Sequence, residues 1–140
     1  MKLATKKHLL VRKYLEQHSL VESNIISFNN FVGKKMQEIV DELSEQLPKD
    51  EDIEIKLGKI RVDKPIVVEA DGSTTYITPA QARLRNLTYS APVYLEVTTK
   101  QNNQIDSQEV EIGRIPVIVK SNSCNICGKT KEELIERYID

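Results

Sequence analysis

The feature that most constrains the fold is a change in the spacing of apolar residues near position 50. Between residues 25 and 47, apolar residues recur every three or four positions, which predicts one amphipathic helix that ends before Pro48. Across Ile53–Leu57 the period becomes two, with charged residues between the apolar ones, which is typical of a half-buried strand. The chain must therefore combine helices with a sheet.

Further elements are predicted on both sides of this change. A shorter helix is expected over residues 6–17, and the strand from Ile53 continues to Val62. A β-hairpin is predicted from Ile66 to Ile77, because Asp71-Gly72 between β-rich segments favours a tight turn.

A short central helix begins with residues that stabilise helix starts. Thr78 can cap the helix, Pro79 suits its first position, and Gln81 can complete a capping box. This helix is predicted to end near Asn86. A last helix is predicted from Thr130, which opens a second capping-box pattern.

Two long strands are predicted at about residues 87–99 and 107–119, and Pro92 and Pro116 indicate edge or bulge positions in them. The order of elements predicts an α+β fold for a single domain over residues 1–140. Its antiparallel sheet would carry N-terminal helices packed on it, the short central helix and a C-terminal helix.

Composition restricts the class of protein further. No apolar run approaches the roughly 18 residues needed to span a bilayer, and the N-terminus lacks the long apolar stretch of a signal peptide. Two cysteines cannot form a disulfide framework, which is typical of a reducing compartment. We therefore expect a cytoplasmic protein without a membrane partner.

The net charge of −1 conceals an uneven distribution of charge. Residues 2–13 carry basic side chains and no acid, residues 38–54 are strongly acidic, and residues 56–64 are again mainly basic. Such asymmetry can build one basic face for phosphate contact, or it can be ordinary solvated surface charge. Charge alone leaves both interpretations open.

The motif Cys124-Asn125-Ile126-Cys127 would supply half of a zinc site. A structural site needs four ligands, yet the chain has no second cysteine pair, and its two histidines lie near the N-terminus. Zinc or redox chemistry is therefore a secondary hypothesis, and no metal ligand is predicted. The chain shows no nucleophile–base pair, so we expect a binding or structural domain without catalytic residues.

Four segments of the chain resemble one known family. They are Leu20–Val32 (which contains SFNNFV), Leu57–Pro65 (LGKIRVDKP), Ile77–Val97 (ITPAQARLRNLTYSAPVYLEV) and Ile112–Cys124 (IGRIPVIVKSNSC). They are similar to the N-terminal region of the second-largest subunit of multisubunit DNA-directed RNA polymerases, above all the archaeal split type called B″. The resemblance covers about residues 20–140.

The resemblance implies a partial protrusion domain, which flanks the polymerase cleft, in a chain truncated at its C-terminus. It implies membership of a nucleotidyltransferase complex whose catalytic metal is held mainly by another subunit. No cofactor is expected in this chain, while magnesium and zinc are expected elsewhere in the full polymerase. The expected partners are other polymerase subunits, DNA, the RNA–DNA hybrid and general transcription factors.

Basic side chains in such a domain would neutralise backbone phosphates without reading base sequence. The candidates for nucleic-acid binding are Lys59, Arg61, Arg83, Arg85, Arg114 and Lys120. The alternative for the arginines is structural, since they can bind carbonyl groups or pair with acids such as Glu69 or Glu111. Within Ala82–Pro92, the Arg-Leu alternation suggests leucines in the core and guanidinium groups outside.

A rival hypothesis is a stand-alone protein-interaction module with no polymerase context. It would bind protein through the acidic surface of residues 38–54 or through its strand edges. DNA affinity that does not fall as salt rises would count against phosphate contact and favour this rival.

Overall fold

The computed structural model describes residues 2–127 and confirms the predicted α+β fold class. The helix predicted from Thr130 lies outside the described residues. The elements in chain order are α1 (Lys2–Gln17), α2 (Glu22–Asn30), a π-helical turn (Phe31–Lys35), α3 (Met36–Gln46), β1 (Ile53–Val62), β2 (Ile66–Val68), β3 (Thr74–Tyr76), α4 (Pro79–Leu84), β4 (Ser90–Gln101) and β5 (Gln104–Pro116).

Three antiparallel strands form the main sheet in the order β1-β4-β5, and β2 pairs with β3 as the predicted hairpin. The central strand β4 is the most buried of the three, with Ala91, Val93 and Leu95 in the core. An apolar cluster forms where Ala91 meets Val117 and Cys124, and Phe28 of α2 packs against it. The core therefore joins the sheet to the segment that follows β5.

A two-residue turn connects the long strands β4 and β5. Asn102 and Asn103 have φ values of 50° and 64°, so both central residues are left-handed, as in the turns that suit hairpin twist. The strands consequently pair up to Gln101 and Gln104, closer to the turn than predicted. At the other end β5 stops at Pro116, short of the predicted residue 119.

The two strand prolines lie where a missing amide hydrogen is tolerated. Pro116 is the last residue of β5, which is an edge strand of the sheet. Pro92 lies on the central strand, just beyond the Val62–Val93 pair where β1 pairing ends and beside the register shift at Val93/Tyr94. The predicted edge position is confirmed for Pro116, whereas Pro92 pairs with Arg114 in the central strand, next to a bulge in β5.

The helix predicted over residues 25–47 contains a π-helical turn in its middle, at Phe31–Lys35. A π turn adds one residue to a helical turn, so it rotates the apolar stripe of α3 relative to that of α2. Phe28 in α2 can therefore pack on the cluster after β5, while Met36 and Val40 in α3 are buried. An apolar spacing of three and four does not reveal this extra residue.

Packing of the N-terminal helices on the sheet is uneven. α3 packs against β1, and the Ser44 hydroxyl accepts a hydrogen bond from the Leu57 amide at 3.1 Å. The side chains of α1 from Leu3 to Gln17 are all exposed, including Leu10 at 70%. Within residues 2–127, no helix is long and apolar enough to cross a membrane.

Candidate nucleic-acid interface

The segment ARLRNL begins inside α4, whose start is built as predicted. The Thr78 hydroxyl accepts from the Gln81 amide at 3.2 Å, and the Gln81 side chain accepts from the Thr78 amide at 3.0 Å. This reciprocal pair is a capping box, and Pro79 occupies the first turn. The position of α4 therefore follows from local sequence.

The end of α4 explains why β4 starts later than predicted. Asn86 has φ of 53°, its amide donates to the Arg83 carbonyl at 3.3 Å, and the Leu87 amide donates to the Ala82 carbonyl at 2.8 Å. These two bonds with a left-handed residue form a Schellman motif. The motif uses residues up to Leu87, so β4 cannot begin at 87.

The expectation that leucines of this segment enter the core is wrong. Leu84 is 83% exposed and Leu87 is 40% exposed, whereas Ala82 is buried. Ala82 is the buried residue of α4, and Leu84 lies two positions further along the helix, on nearly the opposite side. A two-residue alternation is a strand pattern and does not describe α4.

Arg85 forms a forked ion pair with Glu69, which follows β2. Its two terminal nitrogens donate to the two carboxylate oxygens at 2.8 and 2.9 Å. This hydrogen bonding lowers the pKa of Glu69 and raises the pKa of Arg85. Arg85 therefore pairs with an acid of the domain, which is the structural alternative to phosphate binding predicted for the arginines.

Arg114 is committed to internal contacts as well. Its Nε donates to the Ser90 hydroxyl at 3.2 Å, and its Nη2 donates to the Ser90 carbonyl at 3.2 Å and to the Ile66 carbonyl. The contact between Arg114 and Ile66 fixes the start of β2, and the ion pair between Arg85 and Glu69 fixes the residue that follows β2. Two of the candidate arginines therefore attach the β2–β3 hairpin to the rest of the domain.

Arg61 links all three strands of the main sheet on one face. Its Nη2 donates to Glu109 of β5 at 2.7 Å, and its guanidinium carbon lies 4.5 Å from the ring centre of Tyr94 on β4. Asp63 adds an ion pair at 3.3 Å. The hydrogen bond from Arg61 lowers the pKa of Glu109, and the same bond raises the pKa of Arg61.

The remaining candidates are exposed, and their side chains form no hydrogen bond or ion pair within the described part of the chain. Lys59 lies in β1 at a shift in register, and Arg83 lies in the last turn of α4. Lys120 follows β5 and has φ of 70°. The geometry thus separates three bound arginines from three unpaired cations, and nucleic-acid contact at any of them stays a prediction.

Sequence reasoning missed a cluster of hydrogen bonds formed by Asn125, which lies within the CxxC motif. The Asn125 side-chain amide donates to the carbonyls of Pro65 and Ile77 at 2.8 and 2.7 Å, and its backbone amide donates to the Tyr89 hydroxyl at 2.9 Å. Lys64 donates to the Asn122 carbonyl at 2.7 Å. In sequence, Asn125 looks like a spacer between two cysteines, so no local signal announces this role.

The two cysteines have different surroundings. Cys124 is buried, and its sulfur lies 3.2 Å from the Tyr89 hydroxyl, whereas Cys127 is exposed. Burial, followed by this contact, raises the pKa of Tyr89. Over residues 2–127, no group of three or more histidine, cysteine or acidic side chains is placed to hold a metal ion.

The described residues thus form an α+β domain whose arginines join its elements and whose unpaired cations face solvent. A family model described as RNA polymerase beta subunit matches residues 19–138. The chain therefore belongs to the RNA polymerase beta subunit family.

Curated relatives agree with this assignment. The chain is 42% identical over 133 residues to the DNA-directed RNA polymerase subunit Rpo2N of Methanocaldococcus jannaschii, covering 91% of this chain and 27% of the relative. It is 39% identical over 134 residues to Rpo2N of Methanothermobacter thermautotrophicus, covering 94% and 26%. It is 40% identical over 128 residues to Rpo2 of Saccharolobus solfataricus, covering 91% and 11%. The chain thus spans about a quarter or less of these relatives.

Proposed function

We propose that the chain contributes to DNA-templated transcription as part of the protrusion of a DNA-directed RNA polymerase in the cytoplasm. In this role it shapes the cleft, contacts the nucleic-acid backbone and neighbouring subunits, and supplies no catalytic residue. Family membership and relatives named as DNA-directed RNA polymerase subunits support the polymerase setting. DNA and the RNA–DNA hybrid are the nucleic-acid partners, and general transcription factors are further protein partners.

The observation that carries the nucleic-acid contact is the presence of three exposed, unpaired cations at Lys59, Arg83 and Lys120. A cation without an internal partner binds a phosphate without breaking an existing ion pair. Arg61, Arg85 and Arg114 would each have to give up contacts that join elements of the fold. We therefore assign the phosphate contacts to the unpaired group and a structural role to the bound group.

Contact with neighbouring subunits is supported by α1. Its apolar side chains face solvent along the whole helix, with Leu3 at 71% and Tyr14 at 60% exposure. Exposed apolar residues in such number on one helix are typical of a protein-binding surface.

The test is the salt dependence of DNA binding by polymerase reconstituted with the subunit that contains this chain. Replacing Lys59, Arg83 and Lys120 together by alanine should weaken binding to a mixed-sequence duplex. The slope of log affinity against log salt should fall by about 0.9 for each phosphate that the variant no longer neutralises. The matched control replaces three other lysines by alanine, each of which already forms an ion pair with a nearby glutamate. They are Lys34, Lys35 and Lys56.

The control carries the same change in net charge and should keep the wild-type slope. An unchanged slope in the first variant, or an equal decrease in the control, would contradict the proposed phosphate contacts. Co-purification with the other subunits is checked for every variant. If the wild-type subunit fails to assemble, the stand-alone interaction module becomes the better interpretation.

A further inference from the structure

The strand β1 contains a β-bulge at Gly58 and Lys59. Leu57 pairs with Val97 of β4, and Ile60 pairs with Leu95, so two residues of β1 lie opposite one residue of β4. That single residue is Glu96. An extra residue of this kind bends the strand and changes the direction of its side chains.

The bulge determines which side of the sheet Lys59 faces. Val97 and Leu95 are two residues apart on β4 and share a face, so their partners Leu57 and Ile60 share it too, although three positions separate them. In a regular strand, Lys59 would lie on the face of Leu57 and Ile60 would not. The extra residue keeps Leu57 and Ile60, which are both half-buried, on one face and leaves Lys59 exposed.

One side chain from α3 holds the backbone on both sides of Lys59. The Gln37 amide nitrogen donates to the Gly58 carbonyl at 3.1 Å, and its amide oxygen accepts from the Ile60 amide at 3.0 Å. The same nitrogen donates to Asp41 at 2.8 Å, which fixes the orientation of the amide. Gln37 thus satisfies the outward backbone groups of β1 as a neighbouring strand would.

The opposite side of the bulge is tightly packed. A Cβ atom added to Gly58 would lie 3.0 Å from the Glu96 Oε2 atom and 3.2 Å from its Cβ. The backbone at Gly58 is therefore held between Glu96 on β4 and Gln37 on α3. Lys59 projects from a segment fixed on both sides, although it belongs to a strand that has no strand neighbour beyond it among the described residues.

We propose that Gln37 is a positioning residue, which holds the bulge so that Lys59 meets a phosphate of the nucleic-acid backbone. The inference rests on the proposed function, and it adds a residue that touches no nucleic acid itself. A lysine held at its backbone loses less conformational freedom when it binds a phosphate, so binding is tighter than from a mobile loop.

The test is a double-mutant cycle with Gln37→Met and Lys59→Ala in reconstituted polymerase. Methionine keeps the length of the side chain but cannot form either backbone hydrogen bond. Affinity for a mixed-sequence DNA duplex is measured across a range of sodium chloride concentrations, and thermal unfolding of each subunit variant is recorded separately. Gln37→Glu is the second variant, because it keeps the acceptor for the Ile60 amide if Gln37→Met fails to fold.

Lys59→Ala should lower affinity by up to about fivefold and the salt slope by about 0.9. Gln37→Met should lower the affinity and the salt slope by smaller amounts. The double variant should have the same affinity and salt slope as Lys59→Ala alone. This non-additivity is the signature of a residue that acts through Lys59. A residue that only stabilises the fold would change the unfolding midpoint and weaken binding equally in both backgrounds.

The other outcomes overturn the inference in distinguishable ways. If Lys59→Ala weakens binding and Gln37→Met does not, positioning fails while the proposed function stands. If the two effects simply add, Gln37 acts independently of Lys59 and positioning fails again. If Lys59→Ala changes nothing, positioning fails, and Arg83→Ala with Lys120→Ala then decides whether the proposed function fails with it.

Discussion

At the scale of single residues, Arg83 and Arg85 show how two nearly adjacent cations acquire different roles. Arg85 meets Glu69 with both terminal nitrogens, while the Arg83 side chain has no partner among residues 2–127. Glu69 lies 16 positions away in sequence, and only the docking of the hairpin brings it to Arg85. Sequence reasoning could name Glu69 as a possible partner, but it could not choose between the two arginines.

The two arginines provide a matched pair of substitutions. Arg85→Ala should lower the urea midpoint of unfolding, because it removes the forked bond to Glu69, and should leave the salt slope of DNA binding unchanged. Arg83→Ala should leave the midpoint unchanged and weaken DNA binding by up to about fivefold. Urea denaturation and DNA titration of each variant check this. The reverse pattern would show that the assignment of bound and unpaired cations is wrong.

At the scale of elements, the capping box at the start of α4 and its end near Asn86 were predicted from sequence, but the left-handed conformation of Asn86 was not. Thr78, Pro79 and Gln81 form the predicted capping box. The left-handed conformation is one of several that an asparagine can adopt, so the sequence at Asn86 does not specify this cap. The same limit applies to the bulge at Gly58, since Gln37 reaches it from an element over 20 positions earlier.

The capping box makes a quantitative prediction about α4. Thr78→Ala should lower the free energy of unfolding by about 1 kcal/mol, because the Gln81 amide loses its acceptor. Thr74→Ala is the control, since Thr74 is an exposed residue of β3, and it should have a smaller effect. Urea denaturation measures both changes. Equal destabilisation in the two variants would show that the hydroxyl of Thr78 contributes no capping energy.

At the scale of the whole molecule, hydrophobic period was sufficient for the α+β class and for the order of helices and strands. It was insufficient for the packing of α1, whose apolar residues predict a helix but do not say what covers them. Arg61 illustrates the same limit, because its partners Tyr94 and Glu109 come from two other strands. Ion pairs between strands depend on which residues of the strands lie opposite each other. The bulge at Gly58 changes this register between β1 and β4, and the shift at Val93/Tyr94 changes it between β4 and β5, without a clear signal in sequence.

The central claim, that this domain places unpaired cations against nucleic acid in a polymerase, is tested most directly by site-specific cross-linking. A photoreactive p-benzoylphenylalanine replaces Arg83 in reconstituted polymerase bound to a DNA template, and the control places it at Glu45 on the acidic helix α3. We expect a cross-link to DNA from position 83 and none from position 45. Cross-links from position 83 only to protein, or equal DNA cross-linking from both positions, would contradict this claim.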